Sequence, residues 1–153
     1  MTQQQIKGEE LLKQLIGQWS VGIALKTTED KIVAGCGDMS ASEIQTGINS
    51  EIDSHIEGYE DYYENDLWSF DPASAEVHLF SITSEGQTHD HVGKWLDDST
   101  LELKWQGTYE DQEQEERILI KWVTKDQFEV KETNYSYGKP LMETNYVFKR
   151  KIS

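Results

Sequence analysis

Four histidines are the first candidates for chemistry in this chain: His55, His78, His89 and His91. Imidazole is the usual base and metal ligand near neutral pH. His89 and His91 form an H-x-H pair, and on a strand both side chains leave the same face. His78 lies in the preceding alternating run. A hairpin turn centred on Glu85-Gly86 would pair position i with about 171 − i, setting His78 near Gly93 and His91 near Phe80. Three rings gathered in this way would suit zinc. An added turn residue would instead send His78 to the opposite face. No cysteine is spaced to act as a fourth ligand, and Asp90 points away from the pair. The residues therefore read as structural histidines, with no metal and no cofactor.

Other chemistry is sparse. Cys36 sits in Gly35-Cys36-Gly37 and reads as a buried, inert thiol. There is no G-x-S-x-G nucleophile motif and no glycine-rich phosphate cradle. The acidic stretches 57–66 and 110–116 lack the spacing of a calcium loop and read as solvated loops. No catalytic residue is assigned.

The elements that must carry these residues are mostly strands. Ile6, Leu11, Leu12, Leu15 and Ile16 form a helical apolar stripe, with Glu9 and Glu10 early, Lys13 late and Gly17 placed to end it. Beyond Gln18 the period changes to two. Trp19, Val21, Ile23 and Leu25 share one face, as do Leu101, Leu103, Trp105, Gly107 and Tyr109. Turn signals separate the runs at Asp71-Pro72, Glu85-Gly86, Asp97-Asp98, Lys125-Asp126 and Gly138-Lys139-Pro140. About ten strands at roughly 8–12-residue spacing point to an all-β fold. The expectation is a closed, antiparallel, up-and-down β-barrel, one domain over residues 1–153, capped by the short helix.

Inside such a barrel, Ile48, Ser50, Ile52, Ser54 and Ile56 would share the inward face. Glu132 follows Phe128 and Val130 inward, and Thr144 lies between Met142 and Tyr146. Ser50, Ile52, Ser54, Trp105, Trp122, Glu132, Thr144 and Tyr146 are the candidate ligand-binding residues of the lumen. They describe an apolar, aromatic interior with a few hydroxyls and one carboxylate, which suits a small-molecule pocket. A solidly filled core is the alternative.

The chain has 153 residues, with 14 Lys+Arg against 29 Asp+Glu, for a net charge of −15. A surface this acidic repels phosphate backbones and anionic lipid, so neither nucleic acid nor membrane is expected as a partner. No apolar run approaches the ~20 residues of a membrane span. The first residues lack a secretory pattern, and the single cysteine precludes an internal disulfide. A cytoplasmic location is the expectation.

Gly17-Gln18-Trp19 resembles the G-x-W signature opening the first strand of calycins, the group of lipocalins and fatty-acid-binding proteins. Gly17-Gln18-Trp19-Ser20-Val21-Gly22 is similar to the opening of nitrobindin-like domains, with Ala24 where the pattern has a further glycine. The stretch from Leu67 to Ala73, followed by Gly93-Lys94-Trp95, resembles a hairpin of calycin-like domains of unknown function. The resemblance implies a barrel and a structural trio of Gly17, Trp19 and Arg150, with the arginine packed across the indole. It would also imply a haem-ligating histidine near the C-terminus. The last histidine here is His91, so that ligand does not carry over.

The functional expectation is binding of a small apolar or amphipathic ligand in the lumen. The alternatives are proton-transfer catalysis by His78, His89, His91 or Glu132, and a plain interaction module. The last would be a homodimer formed through outward-facing Leu119, Val123 and Val147.

Overall fold

A computed structural model describes residues 3–152, with side chains described from Gly8 onward. The expected packing of Ile6 and the start of the chain at Met1 therefore lie outside the described residues and side chains. The order is α1 (Gln3–Lys13), β1 (Gly17–Lys26), β2 (Ile32–Ile44), β3 (Gly47–Ile56), β4 (Tyr62–Asp71), β5 (Glu76–Thr83), β6 (Thr88–Trp95), β7 (Thr100–Tyr109), β8 (Gln112–Thr124), β9 (Gln127–Ser136) and β10 (Lys139–Arg150). Each strand pairs antiparallel with the next, and β1 closes on β10. This is the expected up-and-down barrel. Closure leaves no edge strand exposed.

Alternation in sequence becomes alternation of faces. Trp19, Val21, Ile23 and Leu25 are buried while Ser20, Gly22 and Lys26 are exposed. One end of the lumen is a solid apolar core in which Trp19, Trp122, Phe128 and Phe148 pack together. Leu12 and Leu15, on and just after α1, are buried against it. The helix starts well before Glu9, so this residue sits mid-helix and pairs with Lys13 at 3.6 Å instead of charging the first turn. A further turn, Gln14–Ile16, follows before Gly17 opens β1 at φ 134°, a backbone region that favours glycine. No helix among the described residues is long and apolar enough to cross a membrane.

The β5–β6 hairpin differs from the expected register by one residue. Thr83 N donates to Gln87 O at 3.0 Å, so the loop is the three residues Ser84-Glu85-Gly86, with Gly86 at φ 78°. His91 therefore opposes Leu79 on the inward face, and His78 opposes Val92 on the outward face. Both acidic stretches also differ from the loops expected. Tyr62–Asp66 belongs to β4 and Gln112–Glu116 to β8, because tight turns take up few residues there. The β7–β8 turn is only Glu110-Asp111, both at positive φ. Cys36 is exposed, since the inward places beside it are taken by Gly35 and Gly37. A Cβ on Gly37 would strike the Asp53 backbone. On the outer face Val123 is exposed, while Leu119 and Val147 are half-buried.

Pairing around the hoop is uneven. The β6–β7 ladder runs only from Val92–Lys104 to Trp95–Leu101. Residues 88–91 of β6 and 105–109 of β7 have no register with each other, although each strand continues to pair on its other side.

Candidate functional site

The end of the lumen away from α1 is open. A cavity of about 720 Å³ occupies it. Its wall carries Leu25, Ile56, Met142 and Tyr146 as apolar surface, and Ser54, Ser81, Thr83, Asn134 and Thr144 as hydrogen-bonding groups. Its charged residues are Glu60, Asp61, Glu64, Glu85, Glu116 and Glu132, beside His89 and His91; among the described residues no lysine or arginine lines it.

One wall holds a histidine–carboxylate cluster. His89 and His91 leave the same face of β6, and Glu116 reaches them from β8, with Trp105 of β7 between. His91 Nε2 lies 2.8 Å from Glu116 Oε1, and His89 Nδ1 lies 3.2 Å from Glu116 Oε2. With the carboxyl ionised, both rings donate to it. Burial alone would raise the Glu116 carboxyl, but hydrogen bonds from both histidines and their charge outweigh it and hold it at about 2. The His89 ring stacks on Trp105 at 3.9 Å between centroids. Gly107 makes room for that indole, since a Cβ there would run into it.

Beside this cluster, a network of side chains spans β3, β4 and β5, with Ser81 opposite His89 in the β5–β6 register. Ser81 Oγ donates to Asp66 Oδ1 at 2.6 Å, and Ser50 Oγ bridges Trp68 Nε1 at 3.0 Å and Asp66 Oδ2 at 3.4 Å. Burial, then the charge and hydrogen bond of Glu64, push the Asp66 carboxyl well up. Tyr62 donates to Glu64 Oε2 at 2.8 Å, and burial first, then Glu64, raises its phenol. On the other side of Glu116, Glu132 stands on the neighbouring strand β9. It faces the cavity with protein on every other side, and burial, then the charges of Glu116 and Glu64, push its carboxyl well up. Tyr146 is raised by burial and by the same carboxylates.

Of the lumen residues expected from sequence, Ser54, Glu132, Thr144 and Tyr146 line the cavity. Ser50 is fully buried as a bridge behind the wall. Trp122 lies in the apolar end, against Trp95 and Phe128. Trp105 supports His89, and Ile52 packs at the edge of the core. Glu64, Asp66 and Glu116 were not foreseen. Their signal was strand phase: Glu64 and Asp66 alternate onto the face of Trp68, and Glu116 onto that of Ile118 and Ile120. The interior is accordingly far more acidic than the single carboxylate expected.

At the closed end, Trp19 is 1% exposed and donates from Nε1 to Leu15 O at 2.8 Å. The Arg150 guanidinium lies 4.2 Å from its ring centroid. A Cβ on Gly17 would lie 2.5 Å from Arg150 Nη1. Thus Gly17, Trp19 and Arg150 stand together, as the resemblance implied.

No family model matches the sequence, and no curated protein matches it. Solved structures do. The S-type phycobiliprotein lyase CPES from Guillardia theta superposes with a TM-score of 0.70 at 14% identity, covering 100% of this chain and 99% of that one. What the two share is the barrel fold. Rv2717c from M. tuberculosis superposes at 0.67, also with 14% identity, over 94% of this chain and 96% of its own. At such identity the likeness is one of fold.

Proposed function

We propose that this calycin-like barrel binds a small amphipathic molecule in its open lumen, with a protonated amine or a comparable cationic group set among the interior carboxylates. The observation that carries this reading is the charge of the cavity wall. Glu64, Glu116 and Glu132 face it, and among the described residues no lysine or arginine does; the two histidines there are engaged with Glu116. Among the described residues, no lysine or arginine pairs with Glu64, Asp66 or Glu132. A cation entering there meets carboxyl groups that lack a counter-charge, and its desolvation is offset by ion pairing. Leu25, Ile56, Met142 and Tyr146 would take the apolar body of the same ligand. An anionic amphiphile such as a fatty acid would be repelled at short range in a low-dielectric wall. The Guillardia neighbour is named a lyase, which is support only for this barrel plan accommodating more than a scaffold role.

The test is a matched pair of probes, dodecylamine and dodecanoate, titrated by calorimetry below their micelle concentrations. The amine should bind once and saturably, and Glu132→Gln should weaken it at least about tenfold, or ~1.4 kcal/mol. Equal or tighter binding of the carboxylate would end the reading. So would an absence of saturable amine binding.

A second reading, proton transfer within the cavity, has one observation in its favour. Glu132 faces the open volume with its carboxyl pushed up by burial and by neighbouring charge, as a general acid or base requires. Loss of a detected turnover on Glu132→Gln with ligand affinity preserved would distinguish it from binding alone.

A further inference from the structure

We infer that His89, His91 and Glu116 form a binding site for a divalent transition-metal cation, of the zinc or ferrous type, in the wall of the lumen. Their three donor atoms lie within 4.8 Å of one another. The Nε2 of His91 is 2.8 Å from one carboxylate oxygen, and the Nδ1 of His89 is 3.2 Å from the other. Ligands about 2.0–2.2 Å from a shared metal stand roughly 3 Å apart, so both nitrogen–oxygen separations already suit a common ion. What remains is for the two imidazoles to draw together as the carboxylate moves aside from between them. A cation would take the place of the ring protons now shared with Glu116.

Two further features favour this over a merely structural trio. The first is His91, which is 1% exposed and has its Nδ1 buried without a hydrogen-bond partner. A half-satisfied buried imidazole is a costly core residue, so the position is best accounted for by work at its other nitrogen. The second is preorganisation. Trp105 stacks on His89 and fixes its plane, and Gly107 leaves the space for that indole. Glu132 sits one residue pair along the same face, through the Ile118–Glu132 and Glu116–Asn134 pairs, as a further oxygen donor near the site.

The donor set selects the metal class. Two imidazoles and one carboxylate suit zinc or ferrous iron; calcium and magnesium prefer all-oxygen shells, and cuprous copper prefers sulfur. Three protein ligands leave coordination positions open, and His89, His91 and Glu116 all line the cavity. The open positions would therefore face the lumen and take water or a donor atom of whatever molecule occupies it.

The experiment uses the full chain, stripped with chelator, and metal alone as the probe. Cobalt(II) is followed by its visible absorption and zinc(II) by calorimetry. One equivalent of each should bind, with cobalt showing the intense bands of a low-coordinate nitrogen–oxygen site. Glu116→Gln and His89→Ala should each weaken binding at least about tenfold. His89 is the gentler variant, because its side chain is 14% exposed, and near-UV circular dichroism reports whether its fold is intact. The paired surface variant His55→Ala, His78→Ala should bind as the parent does. Failure of the parent to take one equivalent overturns the inference. So does tenfold or greater loss in the surface variant, or parent-like affinity in a folded His89→Ala protein. A failed amine titration would leave all of these readings unchanged.

Discussion

The guanidinium of Arg150 lies 4.2 Å from the centroid of the Trp19 ring, and the two residues face each other in the β1–β10 register that closes the barrel. Arg150 also donates to the carbonyls of Ile16 at 2.7 Å, Gln14 at 2.8 Å and Lys125 at 3.0 Å, and pairs with Asp126 at 3.1 Å. It therefore joins the end of the helical turn, the closing strand pair and the β8–β9 turn. The carbonyls of the α1 C-terminal turn gain a cationic donor in the same stroke.

Trp19→Ala should cost about 3–5 kcal/mol, since a fully buried indole is lost. Arg150→Ala should cost more than a lone cation–π contact, about 1–3 kcal/mol, because three carbonyls lose a donor. Arg150→Lys should recover only part of this, as an ammonium lacks the planar fork. Urea unfolding followed by tryptophan fluorescence measures all three, and an Arg150→Ala protein as stable as the parent would refute the latch.

Ser50→Ala should destabilise by about 1–3 kcal/mol while leaving ligand binding in the cavity unchanged. The hydroxyl is the acceptor for Trp68 Nε1 and a donor to Asp66, and it does not line the cavity. Paired unfolding and titration experiments would separate the two effects. Weakened ligand binding at unchanged stability would contradict this placement.

The Asp66 carboxyl is held up by burial and by Glu64, so its protonated form is favoured in the folded barrel. Its contribution to stability is complete below the ordinary carboxylate value and is lost as pH climbs from there through the raised folded value. Asp71, Asp97 and Glu143 are lowered by their hydrogen bonds, and their losses fall on the acid side instead. As pH rises above the ordinary carboxylate range the parent should therefore lose stability, and Asp66→Asn should flatten the slope. Adding Glu132→Gln should flatten it further, since that carboxyl is raised too. Denaturant midpoints at several pH values test this; an unchanged slope in both variants would rule it out.

Gly107→Ala should cost about 1–3 kcal/mol by overpacking, because the new methyl meets the Trp105 indole. Displacing that ring removes the plate under His89. The near-UV circular dichroism of tryptophan should change, while Trp19 and Trp122, at the other end of the lumen, keep their surroundings. A parent-like spectrum and stability would show that Trp105 rests elsewhere in solution.

The barrel was legible because period-two alternation is a local signal. Val21, Ile23 and Leu25 state their inward face without help from distant residues, and Gly17-Gln18-Trp19 marks where the first strand begins. The acidic half of the site was harder to read. Glu64, Asp66 and Glu116 look like solvated residues because charge is ordinarily a sign of exposure. Only the turns place them inward, and turn length decides phase: one residue more or fewer flips every side chain. The same sensitivity set His91 opposite Leu79 and sent His78 outward. Glu116 joins the histidines from two strands away, 25 residues on in sequence, and no spacing motif encodes such a meeting.

The short β6–β7 ladder gives the hoop a seam. Nine of its joints are long antiparallel zips, and this one stops at Val92–Lys104, level with the start of the histidine wall. A closed barrel ordinarily admits a guest only through its mouth. Here the strands beside His89 and His91 are joined by side chains instead of register pairs: His89 stacks on Trp105 and His91 bonds Glu116. Amide exchange should be fastest along residues 88–91 and 105–109, and filling the lumen should slow it there first.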